Sequence, residues 1–197
     1  MKFLVVGSTG LIGSYVAKTL SKHGTVIGVS RTTQIPVDVK DPASIKAMYE
    51  KVGKVDAVAS CIGKVAFKPV TELTYEDYLM GFKDKALGQV ELVRAGINFL
   101  NDGGSFTLMT GVLARDPIPS GSVAALANGA IESFTLAAAI DLPRGLRINT
   151  VSPNVLIEAT SYHASFPGYH QVSAQSVADA YVKSILGKQT GQIYKLD

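Results

Sequence analysis

Near the start of the chain, the run Gly7-Ser8-Thr9-Gly10-Leu11-Ile12-Gly13 sets glycines at positions 7, 10 and 13. At that spacing each glycine has a separate task. The first allows a tight turn, the second lets backbone approach a pyrophosphate, and the third lets a helix lie close to a strand. A helix beginning there offers unpaired N–H groups and the positive end of its dipole to anionic oxygens. The flanking residues supply the required setting. Phe3-Leu4-Val5-Val6 is a continuously apolar run, and Ile12, Val16 and Leu20 recur at spacing four, which predicts a buried strand followed by an amphipathic helix. Residues 7–13 are therefore expected to bind a dinucleotide. The competing reading is that these glycines only shape a turn.

The end of the next strand, Thr25 to Val29, selects the dinucleotide. A chain selective for NAD places an acid there for the ribose 2′-hydroxyl. Here the strand runs out as Val29-Ser30-Arg31-Thr32-Thr33. The Arg31 guanidinium can fork onto a 2′-phosphate, with Ser30, Thr32 and Thr33 adding hydroxyl donors. NADP(H) is the expected cofactor, against the alternative that Arg31 is a solvated surface charge.

These residues need a scaffold, and the periodicity supplies one. Strands are expected at Phe3–Val6, Thr25–Val29, Ile35–Val39, Val55–Cys61, Ser105–Thr110, Arg147–Ser152 and Gln192–Leu196. Between them lie helical patterns. One is capped by Asp41-Pro42. A long one starts at the capping box Thr74/Asp77 and spans 75–97 through Leu79, Phe82, Ala86, Val90, Val93 and Ile97. An alanine-rich one spans 123–142, and the last lies around Val177, Tyr181 and Ile185. Regular alternation predicts a doubly wound α/β fold of the Rossmann type, with about seven parallel strands and helices on both faces. Residues 1–197 are expected to be one domain. The irregular stretch 158–171 follows the sixth strand, where ligands of open parallel sheets bind, so it is a candidate lid.

At this point the chain resembles a short-chain dehydrogenase/reductase along nearly its whole length. The resemblance rests on the glycine turn, on Asp38-Val39, on Ser60-Cys61-Ile62-Gly63 and on Ile148-Asn149-Thr150-Val151-Ser152-Pro153-Asn154. It implies that Asp38 and Val39 border the adenine and that Cys61, Ile62 and Gly63 line the cofactor. It further implies that Pro153 and Leu156 approach the nicotinamide. The family's catalytic Tyr-x-x-x-Lys is missing, because those positions hold Ala124 and Asn128. Lys85 stands where the family has an asparagine in the long helix. Thr110, or Gly111 in the alternative alignment, stands in the place of the catalytic serine. The cofactor half of the pattern is kept and the chemical half is rewritten.

Asn128 retains the ability to hydrogen-bond a ribose but carries no charge. Thr110 is expected to orient substrate. The missing proton donor is sought on the lid, with His163 and Tyr162 ahead of Tyr169 and His170, or in a bound water. Cys61 reads as a buried apolar group before it reads as a nucleophile, and Lys64 and Lys68 as solvated charges before anion sites. The expected function is an NADP-dependent oxidoreductase acting on a small carbonyl or alcohol. The alternatives are a non-catalytic NADP(H) sensor and, less well supported, a sugar-nucleotide epimerase.

Composition bounds the rest. The 197 residues are 47% hydrophobic and 18% charged, with a net charge of +3 and a single cysteine. This describes an ordinary globular chain, too weakly basic to imply nucleic acid, with no disulfide and no thiolate metal site. The apolar runs are read as too short for a signal peptide or a membrane span, so a cytoplasmic location is expected. The helices over 75–97 and 123–142 are expected to form a homodimer or homotetramer interface, the second approaching closely through its small residues Ala124, Ala125, Ala127 and Ala130.

Overall fold

The run Lys2–Val6 forms β1, in which Phe3, Leu4, Val5 and Val6 are wholly buried. A strand covered on both faces has no solvent side and so shows no alternation. The other strands are β2 (Thr25–Val29), β3 (Val55–Ser60), β4 (Leu100–Met109), β5 (Arg147–Pro153) and β6 (Gln192–Leu196), in the computed structural model describing residues 1–197. All pair in parallel in one sheet of six strands, ordered β2-β1-β3-β4-β5-β6. The helices are α1 (Leu11–Leu20), α2 (Pro42–Val52), α3 (Tyr75–Gly81), α4 (Gly88–Gly96), α5 (Ser122–Asp141) and α6 (Ala174–Leu186). Val16 and Leu20 of α1 join Val177, Ala178, Tyr181 and Ile185 of α6 in a core on one face of the sheet. Ile45, Met48 and Tyr49 of α2, Leu92 and Val93 of α4, and Ala127 and Ile131 of α5 build the core on the other. The fold is doubly wound, and the chain order reverses beside β1, where a crevice opens at the carboxyl ends of the strands.

Two elements differ from expectation. Residues 35–39 do not form a strand; they contribute one bridge, Ser30 to Pro36, and one bond from the Val37 amide to the Ser30 carbonyl at 3.0 Å. Pro36 has no N–H for a ladder. The turn before it is also folded on itself, since Thr33 Oγ1 accepts from the Ser30 amide at 2.8 Å and donates to the Ile35 carbonyl at 2.9 Å. The sheet therefore ends at β2.

The single helix expected over 75–97 is three pieces. Between α3 and α4, residues Phe82–Leu87 form a π-turn, and Ile97–Phe99 closes in a 3₁₀ turn. The capping box at Thr74 and Asp77 is present. The sequence carries no mark of the break: Phe82, Ala86 and Val90 keep the spacing of four that Ile12, Val16 and Leu20 show in the regular helix α1. Such π-turns occur often at functional sites.

α5 is also long and apolar enough to cross a bilayer by length and composition. The sequence reading missed this because Asn128, Glu132 and Asp141 interrupt the apolar run. Here its inner face, with Val123, Ala124, Ala127, Asn128, Ile131 and Thr135, is buried against the sheet.

Candidate active site

Two cavities lie end to end along the carboxyl edge of the sheet. The outer one, about 240 Å³, is bordered by Gly7, Thr9, Gly10, Ser30, Arg31, Asp38, Val39 and Lys40. The inner one, about 360 Å³, is bordered by Ile12, Met109, Thr110, Gly111, Ala124, Asn128, Pro153, Leu156 and Tyr162, among others. Cys61, Ile62, Gly63 and Lys64 border both. The loop after β3 is thus the shared wall of one continuous cleft.

The glycine turn builds the outer end from backbone. Gly7 has φ +85°, and a Cβ there would lie 2.7 Å from the Cys61 carbonyl. A Cβ on Gly13 would lie 2.0 Å from the Gly7 carbonyl. No side chain caps the N-terminus of α1, so its first N–H groups remain available to an anion. Ser8 supports the turn, donating from Oγ to the Val29 carbonyl at 3.4 Å. Leu11 is 41% exposed and borders neither cavity.

At the far end Arg31 and Lys40 both border the outer cavity, and Thr32 does not; its amide donates to Ser30 Oγ at 3.2 Å and tightens the turn. Lys40 went unnoticed in the sequence because it belongs to no motif. Its amide donates to Asp38 Oδ1 at 3.0 Å, in a local turn on the border of the same cavity as Arg31.

The inner end is built from side chains. Asn128 is 2% exposed. Its Nδ2 donates to the Gly111 carbonyl at 3.3 Å, while its Oδ1 is buried without a partner. An orphaned buried acceptor costs about 1–3 kcal/mol, and one bordering a cavity is completed by a ligand that brings a donor. Thr110 Oγ1 donates to Glu132 Oε1 at 2.9 Å, and Ser152 Oγ donates to the same oxygen at 3.0 Å. Arg115 Nη1 donates to Ser152 Oγ at 2.8 Å and also pairs with Asp197. Thr110 therefore presents oxygen lone pairs to the cavity, its own hydrogen being directed at Glu132. Neither Glu132 nor Arg115 was visible as part of the site, since nothing in the sequence joins α5 to the end of β5.

The surroundings of Cys61 disfavour its thiolate. Burial pushes the Cys61 thiol up to about 12, although the Tyr181 hydroxyl beside it pulls the other way. That hydroxyl donates to the Ser60 carbonyl at 2.5 Å. Lys85, from the π-turn, borders the inner cavity, where burial draws its ammonium down to about 8 against the opposing pull of Asp84.

The lid, with its 3₁₀ turn at Thr160–Ser165, lies over the inner cavity. Tyr162 tilts against Phe67 of the opposite lip with ring centroids 6.1 Å apart. Its neighbour His163 does not border the cleft: Nε2 donates to the Leu156 carbonyl at 2.9 Å and pins the lid to the strand end. Tyr169 bonds to the Asp116 and Pro117 carbonyls at 3.2 Å, and His170 borders a separate hollow. Lys68 is paired with Asp77 at 2.9 Å, which leaves Lys64 as the lysine of that loop facing the cleft.

Residues 10–191 match the family profile described as enoyl-(acyl carrier protein) reductase. The chain belongs to the short-chain dehydrogenase/reductase family. Among solved structures, that of the protein lin1944 from Listeria innocua is 48% identical and superposes with a TM-score of 0.98, each chain covered in full. A small-chain dehydrogenase solved in complex with NADPH is 27% identical over all of this chain and 96% of the other, with a TM-score of 0.89. Curated relatives are more distant. Tetrahydroxynaphthalene reductase from Pyricularia oryzae is 28% identical, with 82% of this chain matched to 66% of its length. The present chain thus spans about two thirds of that reductase. The family and the named relatives are oxidoreductases.

Proposed function

We propose that this chain is an NADP(H)-dependent reductase of small, largely apolar carbonyl compounds. The observation that carries the reading is the two-ended cleft. Arg31 and Lys40 sit at its outer end with no acid at the close of β2, and the orphaned Asn128 Oδ1 stands in an apolar inner end. The residues fit the group. The turn at 7–13 would take the pyrophosphate, Arg31 and Lys40 the 2′-phosphate, and Asn128 Oδ1 a ribose hydroxyl. When bound, the reduced nicotinamide supplies a hydride to the substrate. The protein's own residues orient the carbonyl and shield it from water beneath Phe67, Tyr162 and Phe166. A neighbour solved with NADPH and a relative named as a naphthalene-type reductase support the cofactor and an aromatic substrate class.

The test is a titration of NADPH and NADH against wild type and Arg31→Ala. A charge-assisted bond of this kind contributes about 1.5–3 kcal/mol, so wild type should prefer NADPH by about 10- to 100-fold and Arg31→Ala should lose most of that preference. Equal affinities in wild type would reject the assignment.

We also propose that two copies pair through the outer faces of α3 to α5. Ala124 and Ala127 are spent inside the chain, but Met80, Leu87, Leu126, Leu136 and Ile140 are left exposed on these helices. Ile140→Glu should yield a monomer by light scattering. An already monomeric wild type at micromolar concentration would refute the pairing.

A further inference from the structure

We propose that Lys85 is the proton donor to the substrate oxygen, in the role that a phenol would have at position 124. This rests on the carbonyl-reductase reading above.

Several features hold Lys85 in place. Gln89 is fully buried. Its Nε2 donates to the Lys85 carbonyl at 3.1 Å and to the Met109 carbonyl at 2.8 Å, while its Oε1 accepts from the Met109 amide at 2.8 Å. One side chain thereby fastens the π-turn to the end of β4, next to Thr110. The lysine stem then lies across Gly63, where a Cβ would meet Cγ at 2.7 Å and Cδ at 2.8 Å. Packing of the methylenes on that glycine sets the Lys85 side chain along the wall of the inner cavity. The ion pairs of the chain use Lys46, Lys68, Arg94, Arg115 and Arg144, so the Lys85 ammonium is not tied to any carboxylate.

The other candidates around the same space are committed elsewhere. Ala124 has no proton to give. Thr110 directs its hydrogen to Glu132, and Asn128 Nδ2 is engaged by Gly111. The Cys61 thiol is held by burial far above neutral pH. His163 faces away. Tyr162 and Lys64 border the cavity from its solvent-exposed rim. The charged and titratable groups around Lys85 are Asp84 on its own turn, Cys61 and Lys64 after β3, Tyr162 on the lid, and Glu132 behind Thr110. Asp84 is itself engaged by the Lys64 amide at 2.9 Å.

The chemistry balances on this assignment. As hydride from the reduced nicotinamide reaches the carbonyl carbon, the carbon–oxygen π pair moves onto oxygen. The Lys85 Nζ–H bond breaks and an O–H bond forms. The neutral amine then recovers a proton from water at the mouth of the cleft. An acid near pH 8 is charged at neutral pH and gives up its proton far more readily than an ordinary lysine.

The experiment has two arms. In the first, wild type and Lys85→Met are labelled with ¹³C at lysine Cε and titrated by NMR without cofactor. A resonance absent from Lys85→Met should titrate near pH 8; titration at the ordinary 10.4 overturns the proposal whatever the activity. In the second, NADPH-dependent reduction of p-nitrobenzaldehyde is compared in wild type, Lys85→Met and Lys85→Arg, with NADPH Kd measured alongside. Positioned general acids contribute about 10²- to 10⁴-fold. Lys85→Met should lose at least 100-fold in kcat with Kd little changed, together with the fall in rate above pH 8. Lys85→Arg should not recover, because a guanidinium keeps its proton. Unaltered kcat in Lys85→Met, or full rescue by Arg, overturns the donor role. Tight NADPH binding with no reduction by wild type overturns the reductase reading, and the donor role with it; failure to bind NADPH overturns the cofactor assignment separately.

Discussion

The outer and inner halves of the cleft are built from different materials. The outer half is mostly backbone: a turn shaped by Gly7 and Gly13, an uncapped helix end, and a loop closed by its own hydroxyls. The inner half is side chains drawn from β4, the π-turn, α5, β5 and the lid. A backbone site has few solutions, since a phosphate must meet N–H groups within van der Waals limits that only glycine satisfies. A side-chain site has many, since a proton donor is defined by where its atom ends up, and several elements can deliver one there. The contrast fits the proposed reading, in which the family's outer pattern is kept and its tyrosine and lysine positions fall on Ala124 and Asn128.

The comparison breaks most easily at Gly13. Gly13→Ala forces a methyl into the Gly7 carbonyl, and the turn must move. NADPH affinity should fall by at least 100-fold in a fluorescence titration, and the melting temperature should drop, given that overpacking costs about 1–3 kcal/mol. Retained affinity would show that the outer half tolerates side chains after all.

The inner half should respond in the opposite sense. Asn128→Leu removes the orphaned buried oxygen at the expense of one long hydrogen bond to Gly111. The free protein should melt no lower than wild type, while the rise in melting temperature on adding NADPH shrinks. A large loss of stability without cofactor would mean that Asn128 is structural.

Rebuilding the family's tyrosine and lysine sharpens the point. Asn128→Lys sets a second ammonium in the cavity that Lys85 already borders, and like charges in an apolar space repel. Ala124→Tyr with Asn128→Lys should therefore gain carbonyl reduction only when combined with Lys85→Asn. A double variant that outperforms the triple would contradict this.

The smallest effect is on stability against pH. Burial lowers the Lys85 pKa to about 8 in the folded chain, while the unfolded value is about 10.4. Between those values the unfolded chain binds more protons, so stability rises with pH. Below pH 8 the penalty for holding the charged form is present in full, and it is relieved as pH climbs from 8 toward 10.4. Lys85→Met should be the more stable protein at pH 7, and its advantage over wild type should fade across that window in urea melts.

The linear order of residues was enough to determine the doubly wound fold and the glycine turn between β1 and α1. These are local: each depends on spacing within one strand–turn–helix unit or on hydrophobic period. Tertiary structure decided what local spacing cannot express. Pro36 and the self-bonded turn at Ser30–Thr33 ended the sheet at β2. The π-turn set Lys85 along the wall of the inner cavity, fastened there by Gln89 to a strand end 20 residues away. His163, which heads the lid's candidates by chemistry alone, was drawn off to the Leu156 carbonyl, and Thr110 was joined to Glu132. Spacing within one element records which face a residue takes, but the partner that satisfies a polar group comes from wherever the chain returns in space.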